Sequence, residues 1–163
     1  MKRLLFLSVI LLVTISSCRR DKAFPPALVT YFPYTENQQL VFANEREDTT
    51  ALTITSVYIS ERHSESFCSK CGWNIALEFE ANNDSMSISG YMNITYTPFL
   101  QLVAGSTFYY KEFPGDPFSA QFISQIGDTI RLSYDDHEAI VVRYEGVVEF
   151  YDAKHKCVWT LVK

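Results

Sequence analysis

Three thiols and two imidazoles are the residues of this chain best suited to chemistry. Cys68 and Cys71 form a Cys-Ser-Lys-Cys pair, Cys157 lies near the C-terminal end two residues after His155, and His63 stands five residues before Cys68. The pattern admits several uses. A structural disulfide from Cys157 to Cys68 or Cys71 would close a loop of about 90 residues, which a chain-entropy account values at roughly 4–5 kcal/mol. A Cys68–Cys71 bridge would close a far smaller loop and stabilise less. Cys68 and Cys71 also have zinc-knuckle spacing, and Cys157 with His155 or His63 would complete a tetrahedron. His155 and Cys157, two apart on an expected strand, would then face the same side. The third use is thiol–disulfide exchange, in which a CxxC thiol is activated by a lowered pKa. That use places the pair at a helix N-terminus, whereas here the pair lies between two expected strands. Free, inert thiols remain open as well, since three is an odd count for an oxidising compartment.

The other polar constellations carry less. Asp135-Asp136-His137-Glu138 could hold a cation, but Asp is a turn residue and the stretch reads as a solvated hairpin turn. Ser, His and Asp occur without a nucleophile elbow or another ordered hydrolase motif. Six glycines are scattered and build no phosphate-cradling loop. The carboxylates sit on polar faces or in turns, and no catalytic pair stands out. The sequence therefore favours a non-catalytic chain, with no cofactor expected.

The N-terminus assigns Cys18 a separate role. Met1-Lys2-Arg3 is a short positive region, and Leu4 to Ile15 is apolar but for Ser8 and Thr14. As a helix that stretch would measure about 18 Å, short of the ~30 Å bilayer core. A cleaved signal over residues 1–17 is the expectation. Ser16-Ser17-Cys18 resembles the bacterial lipobox, in which cleavage precedes the cysteine and the thiol takes a diacylglycerol. Cys18 is thus the expected lipid-attachment residue and, through acyl chains such as palmitate, the expected membrane anchor.

After cleavage 146 residues would remain (163 − 17), a length suited to one domain with one core. The formal charge moves from −5 to −7 when Lys2 and Arg3 are removed. A chain this acidic lacks the clustered cations that phosphate contacts require, so nucleic acid is not expected as a partner. Ten Tyr and twelve Phe supply large apolar bodies, either to a core or to the lining of a groove.

The elements that must position these residues read as β-structure. Residues 18–38 are expected to be a lipidated terminus and tether, extended over Ala23 to Tyr34 by Pro25, Pro26 and Pro33. Residues 39–163 are expected to form a single β domain. Gln39–Asn44 and Thr49–Ser60 read as strands. Trp73, Ile75, Leu77 and Phe79 alternate with polar residues, as do Met86, Ile88, Met92 and Ile94, which predicts a hairpin with one dry and one wet face. Residues 97–105 fit either a helical turn or a bent strand, and 106–113 favour a strand. Asp116, Pro117 and Gly127 predict an N-cap, first turn and stop of a short helix, although Phe118, Ala120, Phe122 and Ile126 also fit a strand period. Four further strands follow, within 128–134, 139–144, 147–151 and 157–162. Together they predict a mostly-β antiparallel sandwich or small barrel-like domain of about six to nine strands, with one or two short helices.

The whole mature chain resembles the small β-rich lipoproteins abundant in Bacteroidota. The residues that carry the resemblance are the lipobox at Cys18, Phe32-Pro33-Tyr34 followed by Gln39-Leu40-Val41-Phe42, and Tyr144-Glu145-Gly146-Val147-Val148-Glu149-Phe150 with Trp159-Thr160-Leu161. The resemblance implies a shared β-scaffold in a diderm cell envelope, anchored to the outer membrane, and brings no activity with it. Some members carry acidic residues just after the cysteine as a surface-export signal. Arg19-Arg20-Asp21-Lys22 lacks that acidic pair, which leaves the periplasmic and the surface face both open. Asp48-Thr49-Thr50, Asp84-Ser85-Met86 and Asp128-Thr129-Ile130 resemble the O-glycosylation sequon of the same bacteria, making Thr49, Ser85 and Thr129 candidate glycan acceptors. The functional expectation is an anchored binding or accessory module for a protein, glycan or small molecule. The alternative is a metal- or redox-active protein using Cys68, Cys71 and Cys157.

Overall fold

The computed structural model describes residues 23–63, 73–94 and 97–162. Ten strands follow one another around a closed antiparallel barrel. They are β1 (Gln39–Asn44), β2 (Thr49–His63), β3 (Trp73–Asn82), β4 (Ser87–Asn93), β5 (Phe99–Ala104), β6 (Thr107–Glu112), β7 (Thr129–Tyr134), β8 (His137–Val142), β9 (Gly146–Asp152) and β10 (Cys157–Leu161). Each pairs with its sequence neighbour, and β1 closes the ring against β10 through Phe42↔Leu161 and Asn44↔Trp159. The barrel and sandwich readings are thereby separated. The one strand beyond the expected range comes from residues 97–105, where the choice between helical turn and bent strand resolves into β5, joined to the expected β6 by the tight Gly105-Ser106 turn. Gly105 has φ +59°, the left-handed conformation that such a hairpin demands.

Side-chain alternation decides which face of each strand turns inward. Leu52 and Ile54, Leu77, Phe79 and Ala81, Ile88 and Met92, Leu100 and Leu102, Ile130 and Leu132, and Ala139 and Val141 all point into the lumen and are buried. The expected β3–β4 hairpin is present, with Phe79 opposite Gly90 and Leu77 opposite Met92. Bulges shift the register of β2 between Ile54 and Ser56, and of the β8–β9 pair after Ile140. Such bulges bend strands and help a sheet to close. An apolar lumen behind outward Ser, Thr, Asn, Gln and Glu is the inverse of a membrane-spanning barrel, whose apolar band faces outward.

A ring of about eight strands is just wide enough for its own side chains to fill, so ten strands leave room for more. The segment before β1 fills it. Pro25 and Pro26 open a one-turn helix, α1 (Pro26–Val29), because proline presets the backbone angle of a first helical turn. Phe24, Leu28, Tyr31, Phe32 and Tyr34 on this segment are all buried. The extended-tether expectation for residues 23–34 is thus corrected: this stretch is a plug, and Phe24 is the first buried residue among those described. Phe32 and Tyr34 each place their ring centroids 4.7 Å from that of Phe79. A Cβ at Gly90 would lie 2.1 Å from Phe79 Cε1 and 3.0 Å from Phe32 Cζ, so the bare backbone of β4 makes room for both rings.

The second helix, α2 (Ala120–Ile126), lies in the β6–β7 connection. Its N-cap is Ser119, which accepts a bond from the Phe122 amide, rather than the expected Asp116. Asp116 instead accepts from the Phe118 and Ser119 amides and holds the turn before the helix. Gly127 ends the helix at φ +73°, as the sequence predicts. Phe122 packs edge-on against Phe113 at 6.2 Å.

Candidate functional site

The two ends of the barrel divide the sequence-predicted residues between them. The rim carries the β1–β2, β3–β4, β5–β6, β7–β8 and β9–β10 turns. The base carries the remaining connections, α1 and α2. Cys157 opens β10 at the rim, buried and unbridged. Its Sγ lies 3.9 Å from Asn44 Nδ2, which also bonds Asp48 at 3.1 Å. His155 does not share a strand face with Cys157: it sits in the β9–β10 turn, exposed, with its Nδ1 hydrogen-bonded to the buried Asp152 carboxylate. The other Asp152 oxygen accepts from the Lys154 amide at 2.9 Å. Asp152 and His155 therefore organise the turn, and the expected pairing of His155 with Cys157 on one face is corrected.

Cys18, Cys68 and Cys71 lie outside the described residues. The β2–β3 hairpin closes at the base on His63↔Trp73, and Cys157 sits at the opposite end of the barrel, on the rim with Thr49. Among the described residues, no group of three or more His, Cys, Asp or Glu side chains is placed to hold a metal ion.

The remaining candidates take ordinary positions. His137 stacks on Tyr151 with ring centroids 3.5 Å apart and an interplanar angle of 12°. Asp135 and Asp136 form the two-residue β7–β8 turn, Asp135 at φ +48°. His63 ends β2 at the base. The proposed glycan acceptors are all exposed: Thr49 and Thr129 are the first residues of β2 and β7, and Ser85 lies in the β3–β4 turn.

The tyrosines separate into two kinds. Tyr34 crosses the lumen at the base, from Phe79 on β3 to Val147 on β9, whose amide donates to its oxygen at 2.6 Å. Burial pushes this phenol well above its ordinary pKa. Tyr31 donates to the Gly127 carbonyl and is raised by burial as well. Tyr109 bonds both the carbonyl and the amide of Tyr151, at 2.6 and 2.8 Å, and burial pushes it up to about 12. These phenols supply backbone partners where a ladder is interrupted.

Four other aromatic residues do none of this. Tyr91, Phe99, Tyr110 and Phe108 follow one another in a zigzag over the outward face of β4, β5 and β6. Successive centroids are 5.7, 5.3 and 6.5 Å apart. Phe108 and Tyr110 are 45% and 41% exposed, with rings 11° from parallel. The Tyr110 hydroxyl donates to Glu112 at 2.8 Å, and that bond raises its pKa. Asn93 Nδ2 donates to the Tyr91 oxygen at 3.1 Å. Sequence reading missed this strip. The signal available was the Thr107-Phe108-Tyr109-Tyr110 run, in which any strand must send Phe108 and Tyr110 to the face opposite Tyr109. No family model, curated protein or solved structure matches this chain.

Proposed function

We propose that this chain is a lipoprotein held to an envelope membrane through acylated Cys18, and that its barrel is a non-catalytic binding or accessory module. The observation that carries this reading is the use made of the lumen. Phe32 and Tyr34 enter from the N-terminal segment and meet Phe79, while Phe42 and Phe150 meet edge-on at 5.2 Å. Space that a ligand-carrying barrel keeps open is here taken by the chain itself, so recognition falls to the outer surface.

The plug also bears on orientation. Phe24 is the first buried residue among those described, so at most six residues, Cys18 to Ala23, lie between the lipid and the fold. They extend about 20 Å at most. An acyl anchor at Cys18 would hold the base near the bilayer and turn the rim away from it.

Metabolic labelling with an alkyne-tagged palmitate tests the anchor. The wild-type chain should take up label and fractionate with membranes, and Cys18→Ala should lose both. A wild-type chain that stays unlabelled in a host that acylates a control lipoprotein overturns the reading. Alkylation under denaturing, non-reducing conditions with native mass measurement tests the thiol state: Cys157 should be modified as a free thiol, and its protection in a disulfide, or a stoichiometric metal in the native mass, would favour the thiol-centred alternative.

A further inference from the structure

The strip formed by Tyr91, Phe99, Tyr110 and Phe108 interrupts a mostly polar outer face. Contiguous exposed apolar surface on a small domain marks a binding site more often than an accident. Its surroundings narrow the ligand. Gln101 lies between Tyr91 and Tyr110 in the strand register, and Glu112 is bonded to the Tyr110 hydroxyl. The outward positions of β4, β5 and β6 are Ser87, Ser89, Tyr91, Asn93, then Phe99, Gln101, Val103, then Phe108, Tyr110, Glu112, and they include no cation.

Each large class of partner meets an obstacle here. A nucleic acid or an anionic lipid would face the Glu112 carboxylate, while the neighbouring Lys111 alternates to the other side of β6 and lies over the Phe113 ring at 5.9 Å. An extended peptide needs a free sheet edge. β4 and β5 are hydrogen-bonded on both flanks, and β6 meets β7 at Tyr110↔Ser133. A stable protein interface needs about 800 Å² on each side. Four rings in single file, two of them half-buried, supply only a fraction of that.

A sugar ring meets none of these obstacles. Its C–H face is apolar and flat, and its hydroxyls lie around the edge. Aromatic faces accept the C–H surface, while a planar amide and a carboxylate bond neighbouring hydroxyls, the amide as donor and acceptor and the carboxylate as acceptor. The strip offers those groups in that arrangement: parallel rings at Phe108 and Tyr110, with Gln101 and Glu112 beside them. We propose that the outer face of β4–β6 binds a neutral oligosaccharide lengthwise, stacked on Phe99, Tyr110 and Phe108 and hydrogen-bonded through Gln101 and Glu112. The proposal rests on the reading of the barrel as a binding module and assigns that module its ligand class.

The test is calorimetry of the full-length chain, purified in a zwitterionic detergent free of sugar, against cellohexaose, laminarihexaose, xylohexaose, mannohexaose and chitohexaose. At least one should bind, and Tyr110→Ala and Phe108→Ala should each weaken it about tenfold with an unchanged melting temperature. Tyr110→Phe, which keeps the ring and loses the bond to Glu112, should weaken it less than Tyr110→Ala. No heat from any of the five at about 5 mM overturns the proposal, as does binding that survives both alanine variants. Retention of the protein by phosphatidylcholine vesicles in a manner abolished by Phe108→Ala, without sugar binding, would reassign the strip to a lipid surface. Palmitate labelling at Cys18 is unaffected by any of these variants, so loss of the sugar result and loss of the anchor are read separately.

Discussion

Tyr34 and Tyr110 are the same residue put to opposite use. Tyr34 stands inside the barrel with its hydroxyl on a backbone amide, its ring against Phe79, and its pKa raised chiefly by burial. Tyr110 stands outside with its hydroxyl on a glutamate, its ring beside Phe108, and its pKa raised chiefly by that hydrogen bond. Inside, ring and hydroxyl are both consumed by the fold. Outside, the hydroxyl is held at the surface and the ring stays 41% exposed beside Phe99 and Phe108. The difference separates aromatic residues that hold the barrel together from those with nothing structural to do, and it can be attacked by mutation from either side.

The largest effect is expected at the plug. Phe32→Ala removes a fully buried ring from the lumen, which should cost about 3–5 kcal/mol. In a domain of this size the melting temperature should fall by roughly 10 °C or more. A fall of only a degree or two would mean that residues 24–34 are not part of the core and would restore the extended tether. Tyr34→Phe sharpens the same point. It keeps the ring and strands the Val147 amide without its acceptor, at about 1–3 kcal/mol. Hydrogen exchange at Val147 should quicken by more than the global destabilisation predicts.

The plug also marks the boundary of what could be read from residue order. Alternation made β3, β4 and the last four strands legible, because a period of two survives any arrangement of neighbours. The same rule placed Ser87 and Ser89 on the wet face, whereas Asn93, assigned to that face as well, is buried. It failed for Pro25-Pro26 and Pro33, whose composition fits an extended linker and a first helical turn equally well. The deciding fact was the width of a ten-stranded ring, which no local pattern encodes. The aromatic strip was hidden for a related reason. Phe99, Phe108 and Tyr110 come from two strands joined by Gly105-Ser106, and their register with Tyr91 on β4 exists only once the sheet forms. His155 was misplaced because a four-residue turn, held by Asp152, delays β10 until Cys157.

A smaller effect is expected from alkali. Buried Tyr34 and Tyr109 have pKa values raised above the ordinary 10, Tyr109 to about 12. The unfolded chain therefore loses these protons first. Their contribution to stability is complete below pH 10 and is lost as the pH rises from 10 through 12. Melting temperature measured from pH 8 to pH 12 should hold level and then fall. Tyr109→Phe should start lower, since the Tyr151 amide and carbonyl lose their partner, and should fall less steeply. Equal slopes for the two proteins would show that Tyr109 does not stay protonated in the fold.

The smallest expected effect is the most informative about the strip. Phe108→Ala removes an exposed ring that lies parallel to the ring of Tyr110. Substitutions at such surfaces change stability by about 0.5 kcal/mol or less. Opposite Phe108 stands Val103, and a cross-strand pair of that kind contributes an amount of the same small order. The melting temperature should therefore stay within about two degrees of wild type. A sheet face carrying an exposed phenylalanine that does nothing for the fold also bears a cost, since it invites association with other chains. A drop as large as that of Phe32→Ala would place Phe108 among the residues that hold the barrel and erase the contrast with Tyr34. A level melting temperature with altered retention on an immobilised oligosaccharide would tie the ring to recognition.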